Sequence, residues 1–423
     1  MWGAAVTEKL GRLRLPFLIL LLLLGLSSSR VVSLAYAAGR RVSEPRMRRI
    51  RKHLEIINKP PAFTIQSPDG DFIDCIHERR QPAFDHPLLK HHKVQKAPPD
   101  LPRSHKIDYN ITEGAWQAWH VNGTRCPKGT VPIRRTNVDD VLRAKSLCEY
   151  GKKKKRPQPL STQYVPDVIS GNGHEHAIAY TGSSELYGAK ATINVWDPWI
   201  EHGNEFSLSQ VWILSGSFDG SDLNSIEAGW QVSPELYGDS RPRLFTYWTS
   251  DSYQATGCYN LLCSGFIQTT RKIAIGAAIS PVSSFSGNQF DITILIWKDP
   301  KFGNWWLRFG ETLVGYWPSE LFTHLADHAT MVEFGGEVVN SRAEYGAHTT
   351  TQMGSGRFAE DGFGRASYFR NLEVVDSDNS LSAIQSISTL AEDTDCYDIR
   401  SSYDEAWGSH FYYGGPGKNP RCP

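Results

Sequence analysis

The sequence predicts an all-β protein, an antiparallel β-sandwich domain preceded by a smaller pro-segment, and three observations lead there. Among 423 residues, 36 are Gly and 24 are Pro, a supply of turn formers that suits many short strands. The 13 Trp, 17 Tyr and 18 Phe fall in short runs and not in stripes of helical period. Strand-like runs separated by turn residues recur through the second half, at 191–196, 210–214, 244–248, 272–279, 291–297, 305–309, 331–339 and 410–413. That spacing is the pattern of a sandwich or barrel.

The chain opens on a secretory signal, 1–37. Lys9, Arg12 and Arg14 precede an apolar run over 15–26, and Ala35, Tyr36 and Ala37 put small residues around a cleavage point before Ala38. The run is shorter than the ~20 residues of a membrane span, and no other stretch is long enough, so the product reads as secreted with no stable membrane span. Residues 38–165 read as a pro-segment with a basic linker, and 166–423 as the β domain. Over 39–165 there are 26 Lys and Arg against 13 Asp and Glu, a net +13, whereas 166–423 has 15 against 31, a net −16. Halves of opposite sign suit docking of one on the other. A basic block also suits nucleic acid, but a chain that leaves the cytosol argues against that partner.

Within the pro-segment, 40–54 is basic and expected to be helical from about Pro45, because proline fits a first helical turn, where its missing N–H has no partner. Residues 82–105, rich in Pro, His and Lys, read as extended and poorly packed. Asn110 and Asn122 begin Asn-Ile-Thr and Asn-Gly-Thr triplets, which are glycosylation acceptors in a secreted chain. Four Lys and an Arg at 152–156, followed by Pro-Gln-Pro, form a hinge open to proteolysis.

Seven Cys agree with an oxidising compartment. Cys258 and Cys263 are near enough in sequence for a loop-closing disulfide, and Cys396 and Cys422 for one that staples the C-terminus. Cys75, Cys126 and Cys148 lie in the pro-segment, where an odd number leaves at least one thiol without a partner in that segment. None has zinc-ligand spacing. There is no G-x-S-x-G, no H-E-x-x-H and no glycine loop for phosphate, and no cofactor is called for. His174 and His176 share a strand face and offer two metal ligands, a minor reading for want of a third.

Two acids stand out by their company. Glu227 sits in NSIEAGWQV (224–232) and Glu337 in MVEFGGEVV (331–339), each inside an apolar, strand-like run with glycines beside it. Such a carboxylate either turns out to water or turns into a lined cleft, where burial raises its pKa. The stretches DHPLL (85–89), NSIEAGW (224–230), GCYNLLCSGF (257–266), VGYWP (314–318) and FGGEV (334–338) together resemble the plant neprosin family, over essentially the whole chain after the signal peptide. The resemblance implies a sandwich of two antiparallel sheets behind an activation peptide. It also implies an endopeptidase of the apoplast or cell wall, made as a zymogen, that cuts after proline in acidic solution with a pair of Glu. The family's first catalytic glutamate falls on Glu227 and its second on Glu337, with Glu333 less favoured. Its disulfides map onto Cys258 with Cys263 and Cys396 with Cys422. Phe334 stands where the family pattern leads one to expect Trp. The implied partners are a proline-containing peptide or protein and the chain's own pro-segment as an inhibitor.

Peptide hydrolysis needs an activated water and a protonated leaving amine. Two facing carboxyls supply both when one is ionised and the other is not, a state favoured near the ordinary Glu pKa of about 4.3. Protonation of His77, His86, His91, His92 and His105 below about 6.5 would add charge to the pro-segment and loosen it. A glycosidase using two carboxylates and a non-catalytic, carbohydrate-binding wall protein are the competing readings.

Overall fold

A computed structural model describes residues 42–104, 113–114, 116–153, 173–182, 184–217, 222–343 and 346–423. The signal peptide, His105, Asn110 and residues 154–172 of the linker and domain start lie outside them. The chain divides into two compact units, 1–52 and 53–423. Helix α1 (Glu44–Ile57) begins in the first, with Pro45 in its opening turn as the sequence predicts. No helix of the described residues is long and apolar enough to cross a membrane.

The second unit begins with a small antiparallel sheet of β1 (Phe63–Gln66), β2 (Phe72–His77) and β3 (Thr130–Arg134), in the order β1-β2-β3. A Cys75–Cys126 disulfide ties β2 to the approach to β3, and Cys148 is unpaired and exposed. Asn122 is exposed and takes left-handed backbone (φ 58°). Helix α2 (Val138–Arg143) starts at a capping box in which the Asn137 side chain accepts from the Asp140 N–H and the Asp140 carboxylate from the Asn137 N–H. The stretch expected to pack poorly, 82–105, is in part well packed. Two 3₁₀ turns, Pro82–Asp85 and Pro87–Leu89, each open on a proline and seat Ala83 and Leu89 in the main core. Local proline turns hide this from any periodicity argument.

Beyond residue 173 come β4 (His174–Tyr180), β5 (Gly188–Asn194), β6 (Ser207–Ser215), β7 (Asn224–Val232) and β8 (Arg243–Thr249). They are followed by β9 (Phe290–Lys298), β10 (Trp305–Phe309), β11 (Thr312–Trp317) and β12 (Met331–Val339). The last are β13 (Ser367–Val375), β14 (Ser380–Ala383), β15 (Ser388–Ala391), β16 (Asp398–Asp404) and β17 (Gly408–Gly414). One sheet has six strands in the order β8-β7-β6-β12-β4-β15. The other runs β11-β10-β9-β5-β13-β14, with β17 pairing to β13 and β16. Short pieces of the N-terminal region extend this second sheet: Arg103–Ser104 lies parallel to β14 and Glu113–Gly114 parallel to β9. The unit is the antiparallel β-sandwich the sequence predicts.

The apolar run at 272–279 is not a strand, although it is buried through Ile273, Ala274, Ile275 and Ala277. Gly276 takes φ 89° and Ala277 N–H turns back to the Ala274 carbonyl, so the run packs as a buried turn, with pairing limited to a single bridge from Ala278 to Arg243 and to Ile279–Ser280.

The central strands β6, β7 and β12 of the six-stranded sheet are buried on both faces, and that fixes where chemistry sits. Alternate residues Val211, Ile213, Ile226, Ala228, Trp230 and Phe334 join the core shared with the other sheet. The intervening residues, Glu227, Gly229, Gln231, Gln210, Glu333 and Glu337, occupy the opposite face, by the two-residue repeat and the strand register. Gly229 is needed at its place: a Cβ there would lie 2.0 Å from the Ser209 carbonyl oxygen and 2.6 Å from Gln210 Cα. Gly229→Ala should therefore cost about 2–3 kcal/mol of stability, read as a lower urea midpoint of the precursor. An unchanged midpoint would show that β6 and β7 part freely.

Candidate active site

Glu227 and Glu337 come from β7 and β12, which flank the central strand β6 on either side. Both are fully buried. Glu227 lies in register with Trp212 of β6 and Tyr247 of β8, and its Oε1 accepts from Ser225 Oγ at 2.9 Å and from the Tyr253 hydroxyl at 2.8 Å. Glu337 lies in register with Leu208 of β6 and His176 of β4. Its Oε1 is 2.5 Å from His174 Nδ1 and 3.9 Å from His176 Nε2. The less favoured candidate, Glu333, is also buried, in the same register row as Trp212.

One side chain joins the two glutamates, and the sequence reading passed over it. Lys153, from the basic run before the β domain, has its Nζ 2.6 Å from Glu227 Oε2 and 3.9 Å from Glu337 Oε2. The two Oε2 atoms therefore lie no further apart than 2.6 and 3.9 Å together, about 6.5 Å. One water donating to both oxygens through its bent H–O–H would span about 4.5 Å. The lysine side chain is 3% exposed. Its ammonium sits 5.3 and 5.2 Å from the ring centres of Tyr247 and Tyr253, close enough for cation–π attraction, and its backbone N–H donates to the Tyr247 hydroxyl at 3.2 Å. Burying an ammonium costs several kcal/mol unless partners replace its water, and here two carboxylates and two aromatic faces do so.

The loop after β8 brings the tyrosines in. Ser252 and Tyr253 both take left-handed backbone (φ 55° and 63°), rare for side-chain-bearing residues. They are held by Tyr253 N–H donating to Thr249 Oγ1 and by Asp251, which accepts from the backbone of Gln254, Ala255 and Thr256. The Cys258–Cys263 disulfide closes the loop, and between its cysteines Tyr259 packs edge-on to Tyr247 at 4.8 Å and donates its N–H to the Gly151 carbonyl, two residues before Lys153. Burial first, and then the two nearby glutamates, push the Tyr259 phenol well above its usual pKa, so it stays a neutral hydroxyl.

Burial alone would raise the Glu337 carboxyl, but Lys153, His174 and His176 outweigh it and hold the group well below its usual 4.5. A carboxylate held below its unfolded value stabilises the fold above about 4.5, and that contribution is lost as pH falls through the depressed value. Acid thus weakens the attraction between Lys153 and Glu337. Burial also lowers His86 and His92, so they charge further into acid than an exposed histidine, with the same sense: stability present above 6.5 and lost as they protonate.

His174 and His176 do not pair on a metal. His174 serves Glu337, while His176 Nδ1 and N–H meet Glu392 Oε2 at 3.2 and 2.6 Å. Among the described residues the grouping with ligand-like spacing is His348 with Cys396 and Cys422, whose sulfurs are joined in a disulfide. Charge complementarity between the halves is mixed. Lys153–Glu227 has the polarity that the net charges predict, whereas Asp71 of the N-terminal half meets buried Arg243 of β8 at 2.5 Å, the reverse.

A family model described as Neprosin matches residues 203–416, and one described as Neprosin activation peptide matches 64–180. Among solved structures, Scytalido-glutamic peptidase with a peptide-based transition state analog aligns over 58% of this chain and 98% of its own, with 12% identity and a TM-score of 0.32. SCP-B, a member of the Eqolisin family of peptidases in complex with the tripeptide Ala-Ile-His, aligns over 57% and 98%, with 11% identity and a TM-score of 0.30.

Proposed function

Since the chain belongs to the neprosin family of glutamic-type peptidases and carries that family's activation peptide, we propose that it is a secreted endopeptidase, latent until acidified, that cuts after proline with Glu227 and Glu337. The observation that carries this reading is the meeting of those two carboxylates, from strands far apart in sequence, at a single buried ammonium.

Their surroundings favour distinct roles. Once Lys153 leaves, Glu337 keeps His174, a cation in acidic solution, whereas Glu227 keeps the neutral hydroxyls of Ser225 and Tyr253. Glu337 is then the carboxylate and Glu227 holds the shared proton. Glu337 takes a proton from water as the water oxygen bonds to the peptide carbonyl carbon. Glu227 gives its proton to the amide nitrogen as the C–N bond breaks. The proton left on Glu337 returns to Glu227 across the gap, and one water has been added.

Lys153 accounts for latency. It fills the space between the carboxylates and helps hold Glu337 ionised, so the pair is blocked to water and cannot share the proton that the leaving amine needs. Acid protonates a carboxylate, weakens the clasp and exposes the cleft. The aromatic walls Tyr247 and Tyr253 that hold the ammonium would suit a flat pyrrolidine ring after its departure.

The test is cleavage of a panel of peptides, with and without proline, from pH 3 to 7 by the acid-treated precursor, beside Glu227→Gln. Cleavage after proline by the wild type and none by the variant is expected. Equal activity of the two ends this reading. In the same assay His174→Phe should move the acid limb of kcat/KM to higher pH, because the base loses the cation that keeps it ionised. An unmoved limb would remove His174 from that role.

A further inference from the structure

We propose that Gln210 is a third catalytic residue, its side-chain amide donating to the oxyanion that forms when the scissile carbonyl is attacked; this rests on the peptidase reading above. Gln210 lies on β6, the strand between those carrying the two glutamates. It is paired in register with Gly229 of β7 on one side and Gly335 of β12 on the other. Glu227 stands two residues before Gly229 and Glu337 two residues after Gly335. Side chains two apart on a strand, and those directly opposite across strands, point to one face. All three functional groups therefore share that face, with Gln210 on the diagonal between the carboxylates.

Two observations mark this glutamine as built for a ligand. It is fully buried, yet neither its amide nitrogen nor its amide oxygen has a hydrogen-bond partner among the described residues. A buried amide without partners is costly, and in a native protein it calls for a partner such as an ordered water or a ligand. Its flanks are also stripped of side chains. Glycine on both sides leaves the floor beside Gln210 at backbone height, and a Cβ at Gly229 would strike Gln210 itself. A substrate main chain can thus lie across β7, β6 and β12 at the level of the amide, without passing over side chains.

The chemistry calls for such a donor. When water oxygen bonds to the carbonyl carbon, the C=O π pair moves onto oxygen, and that negative charge appears between the base and the acid. Neither glutamate suits it: Glu337 is occupied with the water and Glu227 with the nitrogen. Tyr253 and Ser225 are already donating to Glu227. The Gln210 NH₂ group, neutral at every pH, can donate to the oxyanion without competing for the shared proton. Its own carbonyl oxygen remains free to accept a substrate N–H.

The experiment uses acid-activated full-length chain and compares the wild type with Gln210→Met, close in shape and unable to donate. We expect kcat to fall roughly 10²- to 10³-fold with KM within about threefold. Affinity for an uncleavable phosphinic peptide, which carries the tetrahedral oxygens, should fall by a similar factor. Affinity for the matching reduced-amide peptide, which has no such oxygen, should hold. Unchanged kcat, or equal loss of affinity for both peptides, would overturn the proposal. If Gln210→Met does not fold, Gln210→Asn keeps the amide one carbon back and should lower kcat at constant KM; full activity in it would equally overturn the assignment. A wild type that cleaves nothing would fail the peptidase reading itself, a distinct result from an active wild type with an active Gln210→Met.

Discussion

A precursor carrying Lys153→Met should process itself at a pH at which the wild-type precursor stays intact. In the wild type the ammonium, with His174 and His176, holds Glu337 well below its usual pKa, so that carboxylate protonates only in stronger acid than an ordinary glutamate needs. Methionine fills a similar volume without charge. The two buried carboxyls then face each other unneutralised, and mutual repulsion together with burial draws a proton onto the pair at higher pH. That protonated pair is the working state in the proposed mechanism. Truncating one partner of a buried ion pair costs 2–5 kcal/mol, so the uncovered population should rise roughly 30- to 3,000-fold. The pH midpoint of self-processing, followed by chain size on gels, should move up by a unit or more. Lys152→Met is the control: Lys152 is exposed and its Nζ donates to the Ala255 carbonyl, away from the glutamates. Equal midpoints for Lys153→Met and wild type would dispose of the clasp.

The second large effect separates the two glutamates. Glu337→Gln should lose roughly 10³- to 10⁴-fold in kcat on every substrate, because no group is left to take the proton from water. Glu227→Gln should lose as much on peptides, whose amine must be protonated to leave. On an activated ester, whose leaving group needs no proton, Glu227→Gln should recover most of its rate while Glu337→Gln should not. Recovery in Glu337→Gln instead would exchange the roles of acid and base.

Much of the β domain was legible because its strands are long, apolar and bounded by turns. The runs at 305–309 and 331–339 appear with the same limits as β10 and β12, and those at 244–248 and 291–297 fall inside β8 and β9. The run at 272–279 misled because burial selects apolar residues whatever the backbone does, and Gly276 permits a turn there. Glu227 and Glu337 were legible only as acids in the wrong company for a core, and through the family resemblance. Lys153 was not legible at all. It is one of five like charges in a row, and nothing in local composition says that the second of them is buried while Lys152 is exposed. Gln210 was equally hidden, because β6 is buried on both faces and its pattern does not alternate cleanly. Lys153 meets Glu227 across 74 positions of chain, and Gln210 lies beside Gly335 only because folding pairs β6 with β12, contacts that no local window of sequence contains.

The bridge between Cys75 and Cys126 bears on how the precursor comes apart. Any single cut between those two cysteines leaves both fragments covalently joined, so such a nick would pass unnoticed on a non-reducing gel and would let nothing diffuse away. A cut after Lys153, by contrast, lies outside the ring and severs the whole N-terminal portion from the enzyme at one stroke. The cross-link thus sorts harmless breaks from decisive ones.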